Sequence, residues 1–237
     1  IEDLFERYQF VLSEDGSEDE VRAIDPEMLG KVFEGLMFGD RRQNSGSFYT
    51  PRDIVRRVVH ETVGVYLAEK TGLEESIFFE IFEGESPRLD VDERNRLREA
   101  LDGLRVLDPA VGTGAFLIEA LRILIRTWEA VEGTRLDHVG VRRIIHEHLF
   151  GVDLLTTATR LCELRFWIAL LARTPHEKTC FDLPPLPNLS HRIATGNSLV
   201  DPIDAAQTTD TRGVGWRRNR AEMRRCSTTL KQMAEIL

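Results

Sequence analysis

One stretch constrains the fold of this chain more than any other: Arg105-Val106-Leu107-Asp108-Pro109-Ala110-Val111-Gly112-Thr113-Gly114-Ala115-Phe116-Leu117. The apolar run at residues 104–107 reads as a buried strand. The following Phe116, Leu117, Ala120, Leu121 and Leu124 have the spacing of an amphipathic helix. Between the two, Gly112 and Gly114 let the backbone take angles closed to other residues and approach a ligand closely, and the free N–H groups opening the helix favour negative charge. Asp108 stands at the carboxyl end of the strand, where open α/β sheets bind ligands. A glycine turn also joins strand to helix in folds that bind nothing, so the loop by itself leaves its ligand open.

The spacing of the glycines narrows the choice. A dinucleotide fingerprint needs a third small residue, where Leu117 stands, and an acidic residue about 20 positions on to touch the ribose. The next acidic residue closing a strand is Asp153, in Leu149-Phe150-Gly151-Val152-Asp153, well beyond that spacing. A nicotinamide cofactor is therefore disfavoured. A carboxylate ahead of the glycines suits a ligand that carries an ammonium group together with a carboxylate and a ribose, as S-adenosylmethionine does.

The rest of the chain frames this loop. Residues 1–12 and 25–38 read as helices, the second opened by Asp25 as N-cap and Pro26 at its first position, with an acidic connection at 13–20. Thr50 is expected to cap a helix over 52–70, with Pro51 in its first turn, and the aromatic pair Phe48 and Tyr49 just ahead could wall a ligand pocket. Phe78, Phe79, Ile81 and Phe82 read as core, and 90–101 as a charged surface helix. Helices over 115–132 and 136–148 lead to the strand ending at Asp153. His146-Glu147-His148 lacks the further clustered ligands of a metal site and reads as structural. Residues 154–172 form a helix expected to be buried on more than one side. A proline-rich extended crossing, 183–187, then leads to a third strand at 191–195.

Beyond Val200 the pattern fades into an aperiodic connection and a basic helix. That helix opens at Trp216-Arg217-Arg218-Asn219-Arg220 and could touch a nucleic-acid backbone or pack on another part of the protein. The organisation expected is a helical region over 1–103, an α/β half-domain over 104–200 and a connection with a basic helix over 201–237. With 237 residues, 42% of them hydrophobic, the chain can build a sizeable core. No apolar run reaches membrane-spanning length, no signal peptide opens the chain, and a cytoplasmic protein is expected. Cys162, Cys180 and Cys226 form no C-x-x-C pair and read as reduced thiols. A net charge of −9 argues against a surface that grips nucleic acid throughout, while leaving room for a local basic patch.

Four segments, taken in order, resemble the amino-terminal half of the gamma-class adenine-N6 DNA methyltransferases. They are Phe48-Tyr49-Thr50-Pro51, then Asp108-Pro109-Ala110-Val111-Gly112-Thr113-Gly114-Ala115-Phe116, then Gly151-Val152-Asp153, then Gly196-Asn197-Ser198-Leu199. Within that class the likeness is greatest to the large methylases of type IIG restriction-modification and bacteriophage-exclusion systems. It spans roughly residues 25–200, and Ile24 to Glu34 also resembles the helix that such enzymes carry ahead of the F-Y-T-P segment.

The resemblance implies a Rossmann-like S-adenosylmethionine-dependent methyltransferase sheet, present in part as its first three strands and preceded by a helical region. It implies that Tyr49 and Thr50 hold the methionine carboxylate end. Asp108, with the backbone of Pro109, Ala110, Gly112 and Gly114, would hold the ammonium and lie under the sulfonium. Asp153 would accept from the ribose hydroxyls, Leu154 would pack on the adenine face, and Asn197 would accept from the adenine amino group. The family's catalytic loop, Asn/Asp-Pro-Pro-Tyr/Phe, does not occur. Asp182-Leu183-Pro184-Pro185-Leu186 is interrupted, lacks the aromatic residue and precedes the third strand, so no catalytic residue is assigned.

The implied fourth strand would pair beside the first, leaving that strand with an open edge in this chain. The expectation is thus the amino-terminal portion of a longer enzyme that acts on double-stranded DNA through further catalytic and target-recognition regions. The alternative is a non-catalytic S-adenosylmethionine-binding or assembly module of a defence complex.

Overall fold

The computed structural model describes residues 50–171, 173, 188–189 and 191–199. The helices expected over 1–12 and 25–38, the connection 13–20, Phe48, Tyr49, the crossing 183–187, Cys180, Cys226 and everything expected after Val200 lie outside them. The chain divides into two compact units, Ile1–Gly196 and Asn197–Leu237, the second represented among the described residues by Asn197, Ser198 and Leu199.

Helix α1 (Arg52–Thr71) is not capped by Thr50, contrary to the sequence expectation. Its N-cap is Pro51, whose carbonyl accepts from the N–H groups of Ile54 at 3.0 Å and Val55 at 3.1 Å. Pro51 has an extended ψ of 141°, so the chain turns into the helix only after it, and Thr50 lies one residue too far out to reach the first free N–H groups. Val55, Val59, Val63 and Leu67, each one turn apart, form the buried stripe of α1.

Helix α2 (Glu75–Glu83) buries Phe78, Ile81 and Phe82, which were legible as core though not as a helix. Helix α3 (Val91–Gly103) opens on a complete capping box. Asp90 accepts from the Glu93 N–H and the Glu93 carboxylate accepts from the Asp90 N–H, both at 2.8 Å.

Strand β1 (Val106–Asp108) is shorter and later than the apolar run suggested. The Leu104 N–H still bonds to the Leu101 carbonyl at 3.0 Å, so the start of the run closes α3 instead of opening the strand. Leu104 is buried, whereas all of β1 is half-buried. Helix α4 (Ala115–Glu132) and helix α5 (His138–His148) then lead to strand β2 (Leu149–Asp153). Asp137 caps α5 by accepting from Val139 and Gly140, which leaves Leu136 outside the helix.

Helix α6 (Thr156–Leu171) starts two residues later than expected because the Asp153 side chain takes the Leu155 N–H at 2.8 Å and turns the chain first. From Leu161 to Leu170 no residue of α6 is exposed, which agrees with burial on more than one side. Strand β3 (Ile193–Thr195) completes a parallel three-stranded sheet in the order β1-β2-β3. Asp108 pairs in register with Gly151, and Asp153 with Thr195.

Parallel neighbours need crossovers, which α4 with α5 and then α6 supply. Helices α1, α2 and α3 pack together on α4. The core they share with the sheet includes Phe78, Phe82, Leu97, Leu117, Leu121, Leu124 and Phe166, all nearly or fully inaccessible.

Candidate functional site

Because β1 and β2 are adjacent and parallel, their carboxyl ends bring Asp108 and Asp153 to the same edge of the sheet. The Asp108 carboxylate accepts from the Ala110 N–H at 3.0 Å through Oδ1, while its Oδ2 is buried without a partner. Burial pushes the Asp108 carboxyl above the ordinary carboxylate range. The Ala110 N–H opposes that rise and the negative charge of Asp153 adds to it.

Asp153 is tied on both oxygens. Oδ2 accepts from the Gly112 N–H at 2.9 Å and Oδ1 from the Leu155 N–H. Its carbonyl accepts from the Gly196 N–H at 2.8 Å, and the Val111 N–H bonds to the Val152 carbonyl at 2.9 Å. The exits of β1 and β3 are thus both fastened to the end of β2. Each carboxylate oxygen of Asp153 keeps capacity for a further donor.

The two glycines of the loop do different things. Gly112 has φ +53° and nothing lies within 4 Å of where its Cβ would be, so its outer side is open. Gly114 has φ +91°, and a Cβ there would stand 2.6 Å from Cys162 Sγ. It is the residue that lets the start of α4 lie directly on α6. Cys162 is fully buried, and burial pushes its thiol up to about 12. From one turn further along α6, Arg165 donates to the Thr113 carbonyl at 3.2 Å. These two supports were not found from sequence, since a single cysteine or arginine within a helix carries no pattern that ties it to a distant loop.

Gly151 is a packing glycine. Its Cβ would meet Val111 Cγ2 at 2.9 Å and Ile193 Cδ1 at 3.1 Å. Val111 fills the space above it and is itself buried.

Among the other residues singled out from sequence, Pro109 and Ala110 are exposed at the head of the loop, and Leu154 is 66% exposed beside Asp153. Thr50 is half-buried ahead of α1, and Tyr49 lies outside the described residues. Asn197 belongs to the second unit, where it is exposed and its Oδ1 accepts from the Leu199 N–H at 2.9 Å. His148 is buried, and its Nδ1 lies 2.8 Å from the Leu104 carbonyl. A surface cavity of about 470 Å³ lies elsewhere, between the end of α4 and α5, lined by Trp128, Glu132, Arg135, Asp137 and Arg143 among others. Of the residues singled out above, His148 borders it, and Asp108, Gly112, Gly114 and Asp153 do not.

A parallel sheet whose first two strands end on carboxylates around a glycine turn, with helices as crossovers, is an α/β arrangement compatible with a methyltransferase-like fold. Residues 85–211, more than half of the chain, match the family described as MmeI, DNA-methyltransferase domain. The chain belongs to that family.

It is 31% identical over 84% of its length to a putative type II restriction enzyme and methyltransferase of Methanocaldococcus jannaschii, of which it covers 18%. It is 24% identical over 70% of its length to the adenine-specific methyltransferase PglX of Lacticaseibacillus casei, covering 15% of that protein. The type II restriction enzyme and methyltransferase RM.Eco57I of Escherichia coli is 26% identical over 68% of the chain, which covers 15% of it. The chain therefore spans less than a fifth of the length of these relatives. No solved structure matches it.

Proposed function

We propose that the chain is the S-adenosylmethionine-binding part of a DNA adenine-N6 methyltransferase of a restriction-modification or phage-defence system, built on a Rossmann-like sheet. The observation that carries this reading is the edge formed by Asp108, Gly112 and Asp153. It offers a buried carboxylate oxygen without a partner, an open glycine and a second carboxylate fixed in place. A buried unpaired carboxylate is costly, and a ligand ammonium would relieve that cost with a charge-assisted hydrogen bond.

The donor set fits the cofactor. Asp108 Oδ2 would accept from the methionine ammonium, and the backbone of Pro109, Ala110, Gly112 and Gly114 would lie beneath the sulfonium. Asp153 would use its remaining lone pairs for the ribose hydroxyls. Leu154, bare beside it, would cover the adenine ring. Thr50, whose hydroxyl is not spent on capping α1, and Tyr49 would hold the carboxylate end. Bound there, the cofactor supplies an electrophilic methyl group, and the contribution of these residues is to hold it in one orientation.

The acceptor base would be held by an Asn/Asp-Pro-Pro-Tyr/Phe loop that this sequence does not contain. In this reading the loop and a target-recognition region belong to a longer protein, as the length of the relatives suggests. A further strand would then cover the side of β1 that has no strand neighbour among the described residues. The names of the relatives favour an enzyme over a non-catalytic module.

Calorimetry of the complete protein tests the reading. S-adenosylmethionine should bind and NAD should not. Asp108→Ala should weaken binding by roughly 10- to 100-fold, the loss expected for a hydrogen bond to a charged group. With double-stranded DNA the complete protein should form N6-methyladenine. Binding of NAD in place of S-adenosylmethionine, or unchanged affinity in Asp108→Ala, would overturn the assignment.

A further inference from the structure

Among the described residues, a cluster of buried charged side chains lies away from the sheet edge, where α1, α2 and α4 meet. His60 Nε2 stands 2.8 Å from Glu119 Oε1, and both residues are more than nine-tenths buried. Arg122 closes on the same carboxylate through its Nε at 3.0 Å and a terminal nitrogen at 2.5 Å, and its other terminal nitrogen donates to the Phe82 carbonyl at 3.1 Å. Arg126 donates to the same carbonyl. The His60 ring rests on Phe82 at 5.2 Å, and its Nδ1 lies 3.7 Å from Glu83 Oε1. A terminal nitrogen of Arg122 also lies 3.0 Å from His60 Nε2; since a carboxylate can only accept and a guanidinium only donate, the ring tautomer decides which of the two Nε2 bonds.

Stability by itself is a weak reason for such a cluster. Taking three charged or polar groups out of water costs free energy, and apolar replacements of equal volume are often neutral or stabilising. What directional bonds give that an apolar seam lacks is a single register. The α1–α4 seam around the cluster is aliphatic, with Val55, Val59, Val63 and Leu67 buried on one helix and Leu117, Leu121 and Leu124 on the other. Ridges of this kind tolerate small slides, whereas a bidentate guanidinium–carboxylate pair joined by an imidazole does not.

Position then gives the register its meaning. Glu119 is five residues from Gly114, at the head of the loop helix, and His60 is ten from Thr50. A slide of α1 along α4 would change the separation of those two ends.

We infer that His60, Glu119 and Arg122 are positioning residues that lock α1 to α4 and thereby set the distance between Thr50 and the glycine loop. The inference rests on the proposed cofactor site for its functional consequence. None of the three residues touches the cofactor.

The test uses the complete protein with the apolar triple variant His60→Leu/Glu119→Leu/Arg122→Met, with Glu119→Gln as the milder change in case the triple variant does not fold. Three quantities are read: the thermal midpoint, the affinity for S-adenosylmethionine by calorimetry, and amide hydrogen exchange over residues 52–58. The expected result is a midpoint equal to or above wild type, affinity reduced about tenfold or more by misplacement, and faster exchange at the start of α1. Glu119→Gln should fall between the two.

Asp108→Asn serves as the contrast, losing affinity with exchange over 52–58 unchanged. Affinity within about twofold of wild type in a folded variant would overturn the inference. So would a uniform loss of midpoint and protection across the domain, which is the mark of a merely structural cluster. If wild type itself fails to bind S-adenosylmethionine, the cofactor reading falls, and the exchange decides the locking role: faster exchange confined to 52–58 supports it and unchanged exchange refutes it.

Discussion

Replacing Gly114 by alanine separates two costs that the glycine avoids. The first is backbone strain: at φ +91° an L residue is held in the left-handed region, at about 1–2 kcal/mol. The second is overlap. The new Cβ would stand 2.6 Å from Cys162 Sγ and 3.3 Å from its Cβ, against an ordinary separation of about 3.5–4.0 Å. Cys162 is fully buried, so overpacking of about 1–3 kcal/mol is added.

The expected loss is therefore roughly 2–5 kcal/mol for Gly114→Ala. Gly112→Ala meets nothing within 4 Å, so it should lose only the strain, about 1–2 kcal/mol. Urea unfolding of the two variants, of Cys162→Ala and of the double variant Gly114→Ala/Cys162→Ala closes a mutant cycle. Trimming Cys162 removes the overlap and leaves the strain, so the double variant should be at least about 1 kcal/mol more stable than the sum of the single changes predicts. Equal losses for the two glycines, or an additive cycle, would refute the account of Gly114 as the point where α4 rests on α6.

Three more outcomes follow from the same structure. Asp108→Asn should raise the thermal midpoint of the ligand-free protein, because it removes a carboxylate whose burial opposes ionisation, and should abolish the midpoint shift given by S-adenosylmethionine; a lower midpoint without ligand would count against the strained carboxylate. Glu119 makes stability sensitive to acid: burial pushes its carboxyl up, but the hydrogen bonds from His60 and Arg122 and their charges outweigh burial and hold it down at about 2. Because the folded value lies below the ordinary 4.5, its contribution is fully present above about pH 4.5 and is lost as pH falls toward 2, about 3 kcal/mol in all. Acid unfolding curves of wild type and Glu119→Gln should converge across that window, and parallel curves would refute the linkage. Finally, the Cys162 thiol should resist a thiol reagent at pH 8 in the native protein and react at once in denaturant, since it is buried with its ionisation pushed up to about 12; rapid native reaction would contradict its burial under Gly114.

What the sequence determined by itself was local. Strand, glycine turn and helix around Asp108 were legible because periodicity and φ-permissive residues are properties of adjacent positions. So were the strand ending at Asp153 and the aromatic core residues Phe78 and Phe82. Element ends were less legible, and each correction has a specific hydrogen bond behind it. Leu104 closes α3 through Leu101, Pro51 displaces Thr50 as the cap of α1, and Asp153 delays α6 by holding Leu155.

Only the tertiary structure decided the rest, because it depends on residues far apart in the chain. Parallel pairing sets Asp108 beside Gly151 and turns two separate acidic residues into one edge. Gly114 and Cys162, 48 positions apart in the sequence, become a contact that explains why one glycine of the loop packs while the other faces open space. The buried meeting of His60 with Glu119 and Arg122 had no local signature, since a histidine on one helix and a salt pair on another acquire a shared meaning only when packing removes water from between them.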